Sequence, residues 1–276
     1  MHKSMIFFIQ CECDWINVYK AFGKYDFVKR INVLGMINPT DLLVFGDRLY
    51  IPDDMTLRMH CSRCINSDSD HCVWEIDLPY SLDPERMTGK HPEKRLTSLR
   101  KWRPWSLSRT SDGKQIIITT KTKKAYFWNP NVNQMTLEVV TLPRIVHCAQ
   151  HIIELSCPSY LLCHYPHAKS CLRKVCRLVR EDDRMTFEQN PSVMDHLDNP
   201  WHLAQLPGGK ILVVDHDNNR LLVMAEDLSS YKELLSTTNG GKKRPCRIAY
   251  DKPSNLLLVA FHHYVGLYSL DIEALP

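Results

Sequence analysis

The sequence predicts an all-β chain that folds as a single β-propeller over residues 1–276, with six blades of which the first is incomplete. Five segments begin with proline and share one plan: a short apolar strand, a tight turn, a second apolar strand, a polar hairpin and a third apolar run. They recur roughly every 40 to 65 residues, and a period near 40–50 residues with several short strands per unit is typical of propellers. The runs are rich in Val, Ile, Leu, Tyr and Phe and are separated by Gly, Pro, Asn and Asp, which favours strands and turns. The anchoring prolines are Pro39, Pro104, Pro143, Pro200 and Pro245.

The first two blades are the least regular. Before Pro39 the chain has three apolar runs, SMIFFIQ, WINVYK and FVKRIN, and no proline-anchored first strand. The segment PTDLLVFGDRLYIPD then gives the first half of the second blade. Two long insertions are expected around this blade, at Met55–Cys72 and Tyr80–Arg103.

The later blades repeat the plan more clearly. The third starts at Pro104, and the fourth, from Pro143, is a looser copy. The fifth divides into four strands, WHLAQL, KILVVD, RLLVMA and YKELLS. Its central hairpin is rich in Asp and Asn, which tolerate the positive φ of tight turns. We expect alternate residues of its second strand, Leu212 and Val214 or Ile211 and Val213, to point into the interfaces between blades.

The sixth segment, from Pro245, ends after its third strand. A propeller joins its termini because open sheet edges would otherwise remain exposed. The missing first strand of the first blade therefore suggests that the chain is an N-terminally shortened form of a longer parent.

One hairpin carries a specific motif. The stretch VVDHDNNRLLVM resembles the core of the NHL repeat, roughly V-x-D-x-x-N-x-R-(I/L)-x-V, with Asp215, Asn218, Arg220 and Leu221 on the pattern. The other copies are degenerate. The chain is similar to the divergent six-bladed propellers at the C-terminus of tripartite-motif proteins, without their RING or B-box cysteines and histidines. The resemblance implies a recognition domain for protein or RNA. We expect the motif residues to hold the hairpin rather than touch a ligand.

Charge supplies the candidate binding site. The chain has 35 Lys and Arg against 31 Asp and Glu, a net charge of +4, too small by itself to indicate nucleic-acid binding. In a propeller, the hairpins between second and third strands share one face with the connections from fourth to first strands. Basic residues recur in these loops, whereas acidic residues (Asp83, Glu85, Asp112, Glu181, Asp182, Asp183, Glu226, Asp227) recur in the loops of the opposite face. The predicted partner-binding residues are Arg103, Lys121, Lys123, Lys124, Lys169, Arg173, Lys174, Lys242, Lys243 and Arg244.

A basic face admits two kinds of partner. It could bind an acidic protein segment, or it could bind single-stranded RNA if Trp105 and Trp201, near the same face, stacked on bases. We expect both tryptophans to pack between blades instead. The prediction is a non-catalytic recognition module for a protein, monomeric as a domain, with RNA binding as the alternative and no cofactor.

Composition indicates a cytoplasmic globular chain. No apolar stretch reaches the roughly 18–20 residues that span a bilayer, and the apolar run at the start is shorter than that of a signal peptide. The eleven cysteines are scattered, which favours reduced, mostly buried thiols. The stretch HCSRCINSDSDHC could supply thiolate and imidazole ligands to zinc, although its spacing matches no standard finger. The candidate ligands are His60, Cys61, Cys64, His71 and Cys72.

Catalysis is the least favoured function. The sequence has no Gly-x-Ser-x-Gly, no phosphate-binding glycine loop and no His-Glu-x-x-His. A metal-dependent, lactonase-like hydrolase is the second alternative, since such enzymes place carboxylates and Asn around an ion in the channel. Here the residues that precede or enter the first strands include Arg103, Arg144 and Arg244, which would repel a cation.

Overall fold

In the computed structural model, 22 strands account for nearly all the regular structure among the described residues. These are residues 5–10, 13–20, 26–53, 72–78, 93–96, 103–132, 136–146, 148–165, 174–188, 197–236, 244–261, 264–272 and 275. No helix in these ranges has the length and apolarity to cross a membrane. By its internal packing the chain divides into two units, Met1–Leu107 and Ser108–Pro276.

The first unit contains two antiparallel sheets, numbered as blades in chain order. The three strands of blade 1 are β1 (Met5–Ile9), β2 (Trp15–Lys20) and β3 (Phe27–Asn32). The four strands of blade 2 are β4 (Leu43–Phe45), β5 (Arg48–Asp53), β6 (Cys72–Asp77) and β7 (Glu93–Leu96). Pro39 forms an isolated antiparallel bridge with Asp53 ahead of β4, so the predicted proline lies in the sheet but the first strand of blade 2 begins after it, at Leu43.

The second unit holds the strands of the remaining blades, apart from the start of β8, where the boundary falls. Blade 3 comprises β8 (Pro104–Arg109), β9 (Ile116–Thr120), β10 (Lys124–Trp128) and β11 (Leu137–Thr141). Blade 4 comprises β12 (Cys148–Ser156), β13 (Ser159–Tyr165), β14 (Lys174–Glu181) and β15 (Arg184–Phe187). One parallel bridge between Thr141 and Arg184 joins these two blades into an eight-stranded sheet.

Blade 5 matches its predicted division closely. Its strands are β16 (Pro200–Gln205), β17 (Ile211–Asp215), β18 (Arg220–Met224) and β19 (Tyr231–Ser236), in sequential order. Blade 6 comprises β20 (Pro245–Asp251), β21 (Leu256–Phe261) and β22 (Val265–Ser269), so it has three strands among the described residues.

Apolar residues fill the spaces between successive blades within each unit. In blade 5, Ile211 and Val213 face a cluster with Leu161 and Cys163 of blade 4. The alternate residues Leu212 and Val214 face blade 6, beside residues such as Val259. All four are fully buried, so both faces of β17 lie at interfaces. In the first unit, Ile16 and Ile31 of blade 1 pack with Leu49 and Trp74 of blade 2.

Two boundaries differ from the sequence prediction. Pro143 does not begin the first strand of blade 4: it accepts a hydrogen bond from Val146 in a turn, and β12 begins at Cys148. The insertion expected at Tyr80–Arg103 contains a strand, because Glu93–Leu96 forms β7, the fourth strand of blade 2. Three of its four residues are charged, so the sequence has no alternating hydrophobic pattern that would predict a strand there.

The first strands of blades 4, 5 and 6 share a β-bulge near their starts. The register shifts at Gln150, Trp201 and Cys246, each one residue before a polar side chain. A bulge inserts one extra residue and re-aims its neighbours. His151, His202 and Arg247 therefore occupy equivalent positions in the three strands.

Candidate partner-binding site

Two of the predicted binding residues, Lys123 and Lys124, lie near a third exposed cation of blade 3, Arg144, which the sequence analysis did not include in the site. Lys123 and Lys124 lie in the hairpin between β9 and β10, and Arg144 lies in the turn after β11. The Lys123 ammonium donates to the Arg144 carbonyl oxygen at 3.1 Å, which ties the hairpin to the turn. None of the three makes an ion pair with a carboxylate in the described part of the chain. We call Lys123, Lys124 and Arg144 the basic patch.

An apolar residue sits beside these charges. Ile145 follows Arg144 and is 48% exposed. The Val146 N–H donates to the Pro143 carbonyl oxygen at 2.9 Å, which closes the turn that presents both residues. The patch therefore combines positive charge with exposed aliphatic surface.

The other predicted residues are more dispersed. Lys121 lies in the same hairpin and is half-buried. Arg244 precedes blade 6, and its guanidinium lies 3.7 Å from the Asp217 carboxylate. Arg103 belongs to the first unit; it is exposed and has a φ of 49° directly before β8. Lys174 begins β14. The side chain of Lys174 and the residues Lys169, Arg173, Lys242 and Lys243 lie outside the description.

An acidic turn lies near the basic patch, although the sequence analysis placed acidic and basic loops on opposite faces. The Asp183 carbonyl oxygen accepts a hydrogen bond of 2.8 Å from Thr141. Thr141 pairs with Lys124 across the ladder. Asp183 thus lies about two strand spacings, roughly 10 Å, from Lys124. The acidic turn of blade 4 lowers the positive potential on this side of the patch.

The two tryptophans considered as base-stacking candidates both make contacts within the fold. Trp201 stacks on His216, with ring centroids 3.8 Å apart, and packs against the core between blades 5 and 6. Trp105 is half-buried, and its carbonyl oxygen accepts a hydrogen bond of 2.7 Å from Thr40. One face of Trp201 is therefore occupied by an imidazole rather than open to a base.

The NHL-like residues hold the hairpin of blade 5. Asp215 is fully buried and accepts hydrogen bonds from Asn218 (2.9 Å), from the Arg220 guanidinium (2.8 Å) and from the backbone N–H of Asp198 (2.7 Å). Burial raises the pKa of the Asp215 carboxyl, and the three donors partly offset that rise. The carboxylate links the hairpin to the connection that precedes β16.

Blade 2 uses the same device, which the sequence analysis did not recognise. Asp53, at the end of β5, is fully buried and accepts from the backbone N–H groups of Ile37 and Asn38 at 3.1 and 2.7 Å. Its third donor is the Trp74 indole at 3.1 Å. The signal was available, since LYIPD and ILVVD both end an apolar strand with Asp.

Two buried histidines of the second unit were also missed as a pair. His151 and His202 stack with ring centroids 3.9 Å apart. The Leu203 N–H donates to His151 Nδ1 at 3.3 Å. Burial, followed by the charges of His151 and Arg247, lowers the pKa of His202 well below its usual value. The His202 imidazole is therefore neutral at pH 7.

The possible zinc ligands fall mostly outside the described residues, which exclude His60, Cys61, Cys64 and His71. Cys72 is described and is fully buried in the apolar core of the first unit, within β6. The seven described cysteines are thiols.

Comparisons with known proteins identify the fold. No protein-family profile matches the chain, and no curated protein is significantly similar in sequence. Solved structures do match. A chain of the nidogen/laminin complex superposes with a TM-score of 0.65 at 12% identity, covering 98% of this chain and 90% of that one.

This chain is a β-propeller. Virginiamycin B lyase from Staphylococcus aureus, solved with quinupristin, matches with a TM-score of 0.59 at 12% identity, covering 96% of this propeller and 77% of the lyase chain. The β-propeller domain of Myceliophteria thermophila Cps50 (Swd1) matches with a TM-score of 0.52 at 10% identity, covering 95% and 78%. At these identities the likeness concerns the fold alone, so the closer NHL and tripartite-motif resemblance remains a prediction.

Proposed function

We propose that this propeller is a non-catalytic recognition module whose basic patch binds an acidic segment of a partner protein. The observation that carries the proposal is the absence of any carboxylate paired with Lys123, Lys124 or Arg144 among the described residues. Elsewhere, surface cations such as Lys114 and Arg184 lie near carboxylates, at 3.6 and 3.8 Å. Unpaired cations attract anions through their summed potential.

Ile145 supports a protein partner. Interfaces combine an apolar centre with a polar rim, and the exposed Ile145 directly after the exposed Arg144 supplies both kinds of surface. One similar propeller was solved in a complex of two proteins, nidogen and laminin. Another is a lyase, so the fold itself does not decide between binding and catalysis.

Single-stranded RNA remains the alternative partner, with a hydrolase as the second. RNA recognition by a basic face usually adds stacking on aromatic side chains. The imidazole of His216 already covers one face of Trp201, which favours a peptide over RNA. No described contact favours hydrolysis at the basic patch.

The test compares two triple charge reversals in the full chain. The first is Lys123→Glu, Lys124→Glu and Arg144→Glu. The matched control is Lys114→Glu, Lys232→Glu and Lys252→Glu, which changes the net charge equally at exposed positions outside the patch. The probes are a fluorescent peptide alternating Glu and Leu and a single-stranded RNA of equal charge.

We expect the patch variant to bind the acidic peptide about tenfold more weakly, since three exposed cations contribute about 0.5 kcal/mol each. The control should bind within about twofold of the wild type. Equal losses in both variants would mean that net charge, not the patch, governs binding. Stronger binding of RNA than of the peptide, with a steep dependence on salt, would favour the RNA alternative.

A further inference from the structure

The outer edge of blade 6 differs from the outer edges of blades 2 to 5. Among the described residues, β22 pairs with β21 on one side and with no strand on the other. Blades 2 to 5 each have a fourth strand at the corresponding place, namely β7, β11, β15 and β19. Among the described residues, Val265–Ser269 makes no hydrogen bond beyond its ladder with β21. The outer side of β22 therefore carries no hydrogen-bonded strand in the described part of the chain.

The sequence of β22 is not that of a protected edge. Natural edge strands carry charged residues because charge opposes pairing with another strand. All four fourth strands do so: EKRL in β7, Glu138 in β11, Arg184 in β15, and Lys232 with Glu233 in β19. β22 reads VGLYS and has no charged residue. Its composition is that of an inner strand.

The chain that follows β22 leaves this edge. The Lys210 ammonium, at the start of blade 5's second strand, donates to the carbonyl oxygens of Ile272 and Leu275 at 3.2 and 2.5 Å. The Leu270 N–H donates to the Asn255 carbonyl oxygen at 3.1 Å. The described residues after Ser269 are thus held beside blades 5 and 6 rather than along β22.

We infer that β22 accepts an extended segment of a partner protein as the fourth strand of blade 6. Strand addition of this kind gains affinity from main-chain hydrogen bonds and specificity from alternate side chains. Charge complementarity favours a segment without charge over its paired residues. The occupant is a stretch of about five residues, the length of β22, with aliphatic side chains on the face of Val265 and Leu267, which are both partly exposed.

A tethered strand tests this inference without a known partner. The full chain is extended after Pro276 by about 20 Gly/Ser residues, a linker whose mean span is near 25 Å, and by a copy of the uncharged β9 sequence IIITT. The matched control carries the same extension with the copied Ile118→Pro, because proline cannot donate to a ladder. Tethering keeps the local strand concentration high even when the affinity is modest. Hydrogen exchange of the β22 amides is the measurement.

We expect the tethered strand to slow exchange of the outward β22 amides at least about tenfold relative to the proline control. Leu267→Lys, which gives β22 the charge of a protected edge, should abolish that protection. Val139→Lys, on the exposed face of β11, should leave it unchanged. Equal exchange in the two tethered proteins, or β22 amides already as protected as those of β18 in the untethered chain, would overturn the inference. Neither result depends on the basic patch.

Discussion

Replacing Asp215 with alanine tests the structural role of the NHL-like motif. The substitution removes three hydrogen bonds from a fully buried carboxylate and leaves the donors of Asn218, Arg220 and Asp198 without their acceptor. Removing one partner of a buried ion pair costs about 3–5 kcal/mol. The Arg220 side chain is 19% exposed and lies 3.5 Å from Glu233, so water and the Glu233 carboxylate can replace part of the interaction with Asp215. We therefore expect a loss near the lower end, about 3 kcal/mol.

Urea unfolding followed by circular dichroism measures this loss as a lower midpoint at unchanged slope. A double-mutant cycle with Arg220→Ala isolates the pair and should give a coupling of about 1–3 kcal/mol. Asp215→Asn, which keeps one acceptor oxygen, should cost roughly half as much as alanine. A loss under about 1 kcal/mol for Asp215→Ala would refute the structural role, since surface substitutions usually lie within about 0.5 kcal/mol of zero.

Two further predictions follow from burial. Leu212→Ala, at the interface of blades 5 and 6, should lower the free energy of unfolding by about 2–5 kcal/mol, and an unchanged urea midpoint would contradict the packing described here. Burial lowers the pKa of His202 in the folded protein, so below pH about 6.5 the unfolded chain binds more protons at this residue than the folded chain does. The free energy of unfolding should therefore fall as the pH decreases below that value, by at most about 1.4 kcal/mol per pH unit for this group. His202→Gln should flatten that dependence in urea titrations at pH 7, 6 and 5; identical profiles would show that His202 does not titrate on unfolding.

The fold was predictable where local signals agreed. The four strands of blade 5 were located within one or two residues, because apolar runs alternate there with turns rich in Gly, Asp and Asn. β19, the predicted YKELLS, matches in full. Three of the anchoring prolines, Pro104, Pro200 and Pro245, begin strands.

The sequence-based predictions were wrong where contacts between distant parts of the chain determine the local structure. Pro143 has the sequence of an anchor but lies in a turn that presents Arg144. β7 is a strand because it pairs with β6, although its sequence is strongly charged. Sequence periodicity cannot reveal such a strand, since its hydrogen bonds rather than its side chains place it in the sheet.

The candidate site was predictable only in part. Loop position indicated Lys123 and Lys124 through the hairpin that contains them. The contribution of Arg144 to a binding cluster depends on the hydrogen bond from Lys123, which joins residues 21 positions apart. The closeness of Asp183 depends on the contact between blades 3 and 4, which no local pattern encodes.

Photocrosslinking from position 145 identifies the molecule that binds at the basic patch. Ile145 is replaced by a photoreactive residue in the full chain, with the same replacement at Tyr231, 40% exposed on blade 5, as the matched control. After crosslinking in cell extract, mass spectrometry identifies the attached molecule. We expect protein segments rich in Asp and Glu to be attached at position 145 but not at 231, and to be lost when Lys123, Lys124 and Arg144 are replaced by Glu. Attachment of RNA, or of segments without acidic residues, would contradict this expectation.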